Sequence, residues 1–80
     1  MLTNVKGEDK MVDLKANMAG SVWKINYSVG DRVEPGTAVV ILESMKMEIP
    51  ITTEKNGTIR EIKVAEGDFV NEGDTLVLIE

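Results

Sequence analysis

The chain of 80 residues contains neither cysteine nor histidine. Without cysteine, no disulfide can supplement the small core of so short a chain. Without histidine, it lacks the commonest metal ligand and the commonest acid–base group at neutral pH. Its carboxylates show no cluster that suggests a metal site and no pair placed for catalysis. We therefore expect no metal and no catalytic residues.

Aromatic residues and positive charge are also scarce. The only aromatic residues are Trp23, Tyr27 and Phe69, so the core must be built from Val, Ile and Leu. The net charge of −5 argues against nucleic acid and anionic membranes as partners, because both bind basic patches. The sequence has no apolar run of about 18 residues and no signal-peptide pattern. We expect a cytoplasmic protein that contacts no membrane.

An internal repeat is the strongest pattern present. Residues 20–43 (GSVWKINYSVGDRVEPGTAVVILE) align without a gap on residues 57–80 (GTIREIKVAEGDFVNEGDTLVLIE), at an offset of 37. Eight positions are identical, and several others exchange one aliphatic residue for another. Two copies are too few for a solenoid, so we predict that they form the halves of one domain with quasi-twofold symmetry.

Each half has the pattern of several short strands. Glycine recurs often, no helical stripe persists, and both copies end in an apolar run, at residues 38–42 and 75–79. We predict an all-β flattened barrel-sandwich hybrid of two quasi-twofold-related halves, with about eight short strands, the first at residues 12–15. The domain should span residues 11–80. Residues 1–10 are polar and lack periodicity, which predicts a flexible N-terminal leader.

The segment between the halves predicts a β-hairpin. Strand-like residues 38–44 are followed at once by strand-like residues 47–52, so Met45 and Lys46 would form a two-residue turn. Such turns normally need positive φ angles and therefore favour glycine or asparagine. Neither residue is present, and positions that break a local rule are disproportionately functional.

The hairpin carries a motif that resembles a known family. Residues 43–48 read ESMKME, which closely resembles the E-A-M-K-M attachment motif of biotinyl domains, with Ser44 in place of alanine. Lipoyl domains typically carry D-K-A around their lysine. The resemblance runs from about residue 12 to residue 80, and it is greatest to the small stand-alone biotin/lipoyl attachment proteins of the biotin carboxyl carrier type.

The resemblance implies a role for each residue of the motif. Lys46 would be the residue that receives biotin covalently, and a biotin protein ligase would read Met45 and Met47. The rest of the motif flanks the attachment site: Glu43, Ser44 and Glu48. The resemblance further implies a non-catalytic carrier that takes carboxyl groups from a biotin carboxylase to a carboxyltransferase. Tethering raises the effective concentration of a cofactor at nearby partner sites.

Other interpretations stay open at this point. A lipoyl carrier of an acyl- or aminomethyl-transfer complex, with lipoate as cofactor, shares the fold. A purely structural module is the alternative from another class, and an enzyme is the least favoured. Met45 and Met47 could also pack against the body of the domain. We expect the Trp23 side chain to be half-buried and to pack against the domain rather than to contact a partner.

Overall fold

The computed structural model describes residues 11–80, and every regular element in that range is a β-strand. The eight strands are β1 Val12–Lys15, β2 Gly20–Ile25, β3 Arg32–Val33, β4 Ala38–Ser44, β5 Met47–Thr52, β6 Gly57–Ile62, β7 Phe69–Val70 and β8 Thr75–Ile79. The predicted all-β architecture, the number of strands and the bounds of the first strand are confirmed. The predicted leader, residues 1–10, lies outside the described residues.

The two halves exchange strands to build two antiparallel sheets. One sheet has the order β1-β8-β6-β3 and the other β5-β4-β2-β7, so each contains two strands from each half. Strands that are 37 residues apart occupy the same place in opposite sheets, with β2 equivalent to β6 and β4 equivalent to β8. Neither half has a complete sheet of its own, and the core therefore forms only when both are present.

The buried residues obey the same symmetry. Every apolar residue of the core cluster has a buried residue 37 positions away. The pairs are Leu14/Ile51, Ala16/Thr53, Val22/Ile59, Val33/Val70, Val39/Leu76, Val40/Val77 and Leu42/Ile79. Thr53 is the one polar residue of this set, and its hydroxyl donates a 2.8 Å hydrogen bond to the carbonyl oxygen of Lys55. The two halves thus contribute equally to one aliphatic core.

Tight turns join each half to the other. The amide of Gly30 donates to the carbonyl of Ile59 and the amide of Gly67 donates to that of Val22, both at 2.8 Å. The two glycines have φ angles of 99° and 98°, a region that side chains rarely enter. Each turn is therefore bound to a strand of the opposite half, which fixes the two halves relative to one another.

The turn between β4 and β5 lies at one end of the domain, and the outer ends of β1 and β8 lie at the other. Val70 pairs with Gly20, next to the β4–β5 turn, and β8 begins five residues later. β8 consequently starts near that turn and runs away from it, ending at Ile79 opposite Val12. The β4–β5 hairpin thus projects from the end of the domain opposite Val12 and Ile79.

Candidate covalent attachment site

The predicted hairpin and its two-residue turn are confirmed. Glu43 faces Glu48 and Ser44 faces Met47 across β4 and β5, which leaves only Met45 and Lys46 to connect the strands. Their φ angles are 52° and 66°, so both have left-handed backbone conformations. Two consecutive positive φ angles are the requirement of a type I′ turn, whose twist matches that of the strands it joins.

This turn is strained, since neither residue is glycine. A left-handed conformation costs an ordinary residue about 1–2 kcal/mol, because its Cβ approaches the following carbonyl oxygen. The strand register enforces the conformation. Leu42 and Ile51 are buried on one face of the hairpin, and a slip of one residue between the strands would turn one of them toward solvent. Burial of the hairpin's inner face therefore holds Met45 and Lys46 in the strained turn.

The side chains of the tip are exposed. Met45 keeps 91% of its surface accessible and Met47 keeps 62%, and Lys46 is likewise exposed. The alternative in which the methionines pack against the body of the domain is wrong for Met45, and Met47 is also more exposed than buried. Two exposed thioether side chains beside an exposed amine form an apolar, accessible surface of the kind that another protein can bury.

The base of the hairpin is held by a close contact with β2. A Cβ placed on Gly20 would lie 2.9 Å from the carbonyl oxygen of Glu43 and 3.5 Å from the Cβ of Ser44. Only glycine allows β2 to approach so closely at this point. Ser44 is half-buried there, whereas Glu43 and Glu48 are exposed. Within residues 11–80, no ion pair joins either glutamate to another residue.

Two aromatic residues lie on the outer face of the same sheet. Trp23 is 44% exposed, in line with the half-buried position expected for it, and the Lys24 Nζ lies 5.7 Å from the centroid of its ring. Phe69 is 66% exposed and faces Ser21 across β7 and β2. Phe69 was not predicted to be functional. The repeat contained a signal for it, since its equivalent in the first half is Arg32.

A small symmetric β-domain that presents one exposed lysine on a strained hairpin tip defines a class of protein: a carrier of a covalently attached group. Comparisons with known proteins agree. The family model described as "Biotin-requiring enzyme" matches residues 9–79. The Biotin/lipoyl attachment protein of Bacillus subtilis is 57% identical over 60 residues, which cover 75% of this chain and 82% of that protein.

Two further relatives are carrier proteins or parts of carboxylases. The biotin carboxyl carrier protein of Streptococcus mutans is 41% identical over 66 residues, or 82% of this chain and 51% of that protein. The structure of urea carboxylase from Kluyveromyces lactis has a TM-score of 0.84 and 36% identity, and the match covers 90% of this chain but 6% of the carboxylase.

The chain belongs to the biotin/lipoyl attachment family, as the motif predicted. Within that family, the matches support biotin over lipoate as the cofactor. They also place domains homologous to this chain inside carboxylases. Residues 11–80 contain no helix with the length and apolar character that a membrane crossing requires.

Proposed function

We propose that Lys46 carries covalently attached biotin and that the chain is a biotin carboxyl carrier, serving a biotin carboxylase and a carboxyltransferase. The observation that carries the proposal is the hairpin tip, where an exposed lysine stands between two exposed methionines in a turn that local energetics disfavour. Biotin, when attached, supplies a ring nitrogen that can hold a carboxyl group. The chain supplies the attachment point, reach and recognition.

Attachment requires chemistry at one atom of the chain. The Nζ of Lys46 loses one proton to become a neutral amine and a second as it forms an amide bond with the carboxyl carbon of biotin. The ligase activates that carbon as the acyl adenylate made from ATP, with release of pyrophosphate, and AMP leaves as the amide bond forms. The exposed tip suits this reaction, because no other part of residues 11–80 covers the amine. An amide bears no charge, so the modified side chain becomes a long neutral arm.

The two methionines are proposed to be the residues that the ligase recognises. Met45 and Met47 flank the lysine, and both expose most of their surface. Burying a methionine side chain in an apolar pocket contributes about 1.5–3 kcal/mol, enough to distinguish Lys46 from other exposed lysines. The flanking Glu43 and Glu48 face one another at the base of the tip and would lie at the rim of such a contact.

The rigid hairpin supports fast and selective recognition. Buried residues beneath β4 and β5 fix the register, and the close approach of Gly20 to Glu43 fixes the hairpin on β2. A tip that already has its bound conformation loses little conformational entropy when a partner binds it. A fixed tip with a flexible arm beyond it also raises the cofactor's effective concentration at two neighbouring partner sites.

The test is enzymatic biotinylation followed by mass spectrometry. The unmodified chain is incubated with biotin, ATP and a biotin protein ligase, and its intact mass and peptide map are recorded. Lys46→Arg is the site variant, and Lys24→Arg is the matched control at another exposed lysine. We expect one biotinyl group on Lys46 in the wild type and the control, and none in Lys46→Arg. Biotin on another lysine, or modification by lipoate ligase alone, would contradict the proposal.

A further inference from the structure

The quasi-twofold symmetry makes each sheet a control for the other. Their backbones and buried residues correspond, yet their outer faces differ. Trp23 on β2 is equivalent to Arg60 on β6, and Phe69 on β7 is equivalent to Arg32 on β3. Both arginines are exposed. The same backbone positions therefore accept a charged residue in one sheet and hold a large aromatic residue in the sheet that bears Lys46.

Trp23 and Phe69 are neighbours on that outer face. Ser21 pairs with Phe69 on one side and with Glu43 on the other, so these three residues form one outward row. Trp23 follows two positions along β2, after the buried Val22 and at the register shift between Val22 and Lys24, and it is exposed on the same outer face. Diagonal neighbours of this kind are about 7–8 Å apart, within reach of aromatic side chains. We call Trp23, Phe69, Ser21, Glu43 and Glu48 the outer patch.

Folding does not explain the two aromatic residues. Phe69 is 66% exposed, and Trp23, although more than half buried, does not belong to the core cluster. Arginine serves at the equivalent positions of the other sheet, which has the same strand order. Exposed aromatic residues that the fold does not need are typical of binding surfaces, where they are enriched among the residues that contribute most to affinity.

The charges of the outer patch also differ from those at the equivalent positions of the opposite sheet. Glu80, the equivalent of Glu43, forms an ion pair with Arg60. Trp23 stands where Arg60 would be and cannot neutralise Glu43. Biotin on Lys46 removes one positive charge from residues 43–48, whose formal charge falls from −1 to −2. The modified domain thus presents two aromatic rings, one of them with the Lys24 ammonium over it, next to carboxylates that no ion pair within residues 11–80 neutralises.

We infer that the outer patch is the surface by which the biotinylated domain docks on biotin carboxylase, against basic side chains that border an apolar pocket. The inference rests on the proposed function. Biotin carboxylase binds ATP and bicarbonate, both anions, so the mouth of its active site must have a positive potential that also attracts the carboxylates of the patch. Biotin carboxylase binds the biotinylated form of the domain, in which the negative charge of the patch is greatest, whereas the ligase binds the unmodified form.

A second copy of this chain is a poorer occupant. A symmetric dimer through the outer patch would bring the Glu43 and Glu48 side chains of the two copies close together. Like charges placed face to face in an interface cost several kcal/mol. The aromatic rings and the carboxylates together are instead complementary to a surface that is both apolar and basic.

The experiment measures carboxylation of the biotinylated chain by a purified biotin carboxylase. Wild type, Trp23→Arg and Phe69→Arg are biotinylated to completion, as verified by intact mass, and ATP-dependent phosphate release is measured against carrier concentration. Glu61→Gln, on the outer face of the other sheet, is the matched control for a charge change of +1. We expect KM for the carrier to rise about tenfold in each arginine variant and not in the control, with kcat unchanged.

Further readouts separate docking from other causes. Carboxylation of free biotin, and the rate at which the ligase modifies Lys46, should be the same for every variant. An unchanged KM for both Trp23→Arg and Phe69→Arg, in domains shown to be folded by circular dichroism, overturns the inference and leaves the carrier function intact. If the arginine variants lose as much rate with the ligase as with the carboxylase, or if the wild type is a dimer that the substitutions dissociate, the patch has another occupant. Either result also overturns the inference. If wild type is never biotinylated, the proposed function itself fails.

Discussion

The strained turn at the hairpin tip gives the sharpest prediction about stability. Met45→Asn combined with Lys46→Gly replaces two residues at φ angles of 52° and 66° with the pair that a type I′ turn favours most. The double variant should be more stable than the wild type, although it removes the lysine proposed as the attachment site. Function and local energetics therefore oppose each other at these two positions.

The size of the gain follows from the backbone. Each left-handed residue other than glycine costs about 1–2 kcal/mol. Glycine at position 46 removes that cost but adds about 0.5–1 kcal/mol of extra entropy to the unfolded chain. Asparagine at position 45 keeps its Cβ and tolerates the conformation only in part. The net expectation is a free energy of unfolding higher by about 1 kcal/mol, which raises Tm by about 4–8 °C in a domain of this size.

Thermal and urea unfolding, followed by far-UV circular dichroism, would measure this gain. Glu54→Gly is the matched control, because Glu54 is an exposed loop residue whose φ is not positive. There, glycine should lower stability by about 0.5–1 kcal/mol. A double variant that is no more stable than the wild type, alongside the expected loss in Glu54→Gly, would refute the argument that the register forces a strained turn on Met45 and Lys46.

Three further outcomes are expected. Gly20→Ala and Gly57→Ala should each lower the free energy of unfolding by about 1–3 kcal/mol, because their new Cβ atoms meet carbonyl oxygens at 2.9 and 2.7 Å. With the folded fraction held equal, only Gly20→Ala should slow biotinylation, since Gly57 lies at the end of the domain away from the hairpin. Equal biotinylation rates in the two variants would contradict the placement of Gly20 beneath the hairpin. Thr53→Val should cost about 1 kcal/mol in urea unfolding, because the amide and carbonyl of Lys55 lose a buried hydroxyl partner, and a neutral result would show that water replaces it. Ile79→Val should cost about 0.5–1.5 kcal/mol in the same assay, as expected for one methylene group removed from a tightly packed core, and a larger loss would mean that the core cannot relax around it.

The hairpin that carries the proposed attachment site could be predicted almost completely from the sequence. The signals were local: a six-residue motif, two flanking strand patterns and a turn that lacked glycine. Residues so close along the chain need only a hairpin to bring them together, and the register of β4 and β5 is determined by alternating burial. The sequence does not determine the exposure of Met45, because methionine fills cores as readily as it forms binding surfaces.

The outer patch could not be predicted in the same way. Its residues come from β2, β4, β5 and β7, and only the tertiary structure makes them neighbours. The register shift between Val22 and Lys24 leaves Trp23 without a partner in the β2–β4 ladder, and a bulge of this kind has no reliable signature in one sequence. The half-buried position expected for Trp23 agrees with its exposure, but its place on the same sheet as Phe69 follows only from the tertiary structure.

The sequence by itself determined the strands, the hairpin and the symmetry, because the same periodic apolar pattern occurs in both copies of the repeat. A strand predicted in one copy is therefore supported by its equivalent in the other. It did not determine which strands are partners. The apolar pattern of β2 is equally compatible with β4 from its own half and β7 from the other, and the structure places β2 between both. That choice depends on contacts between residues far apart in the chain, since a closed core forms only when the halves exchange strands. The same exchange decides which side chains the core excludes, and it leaves Trp23 and Phe69 at the surface beside the hairpin that bears Lys46.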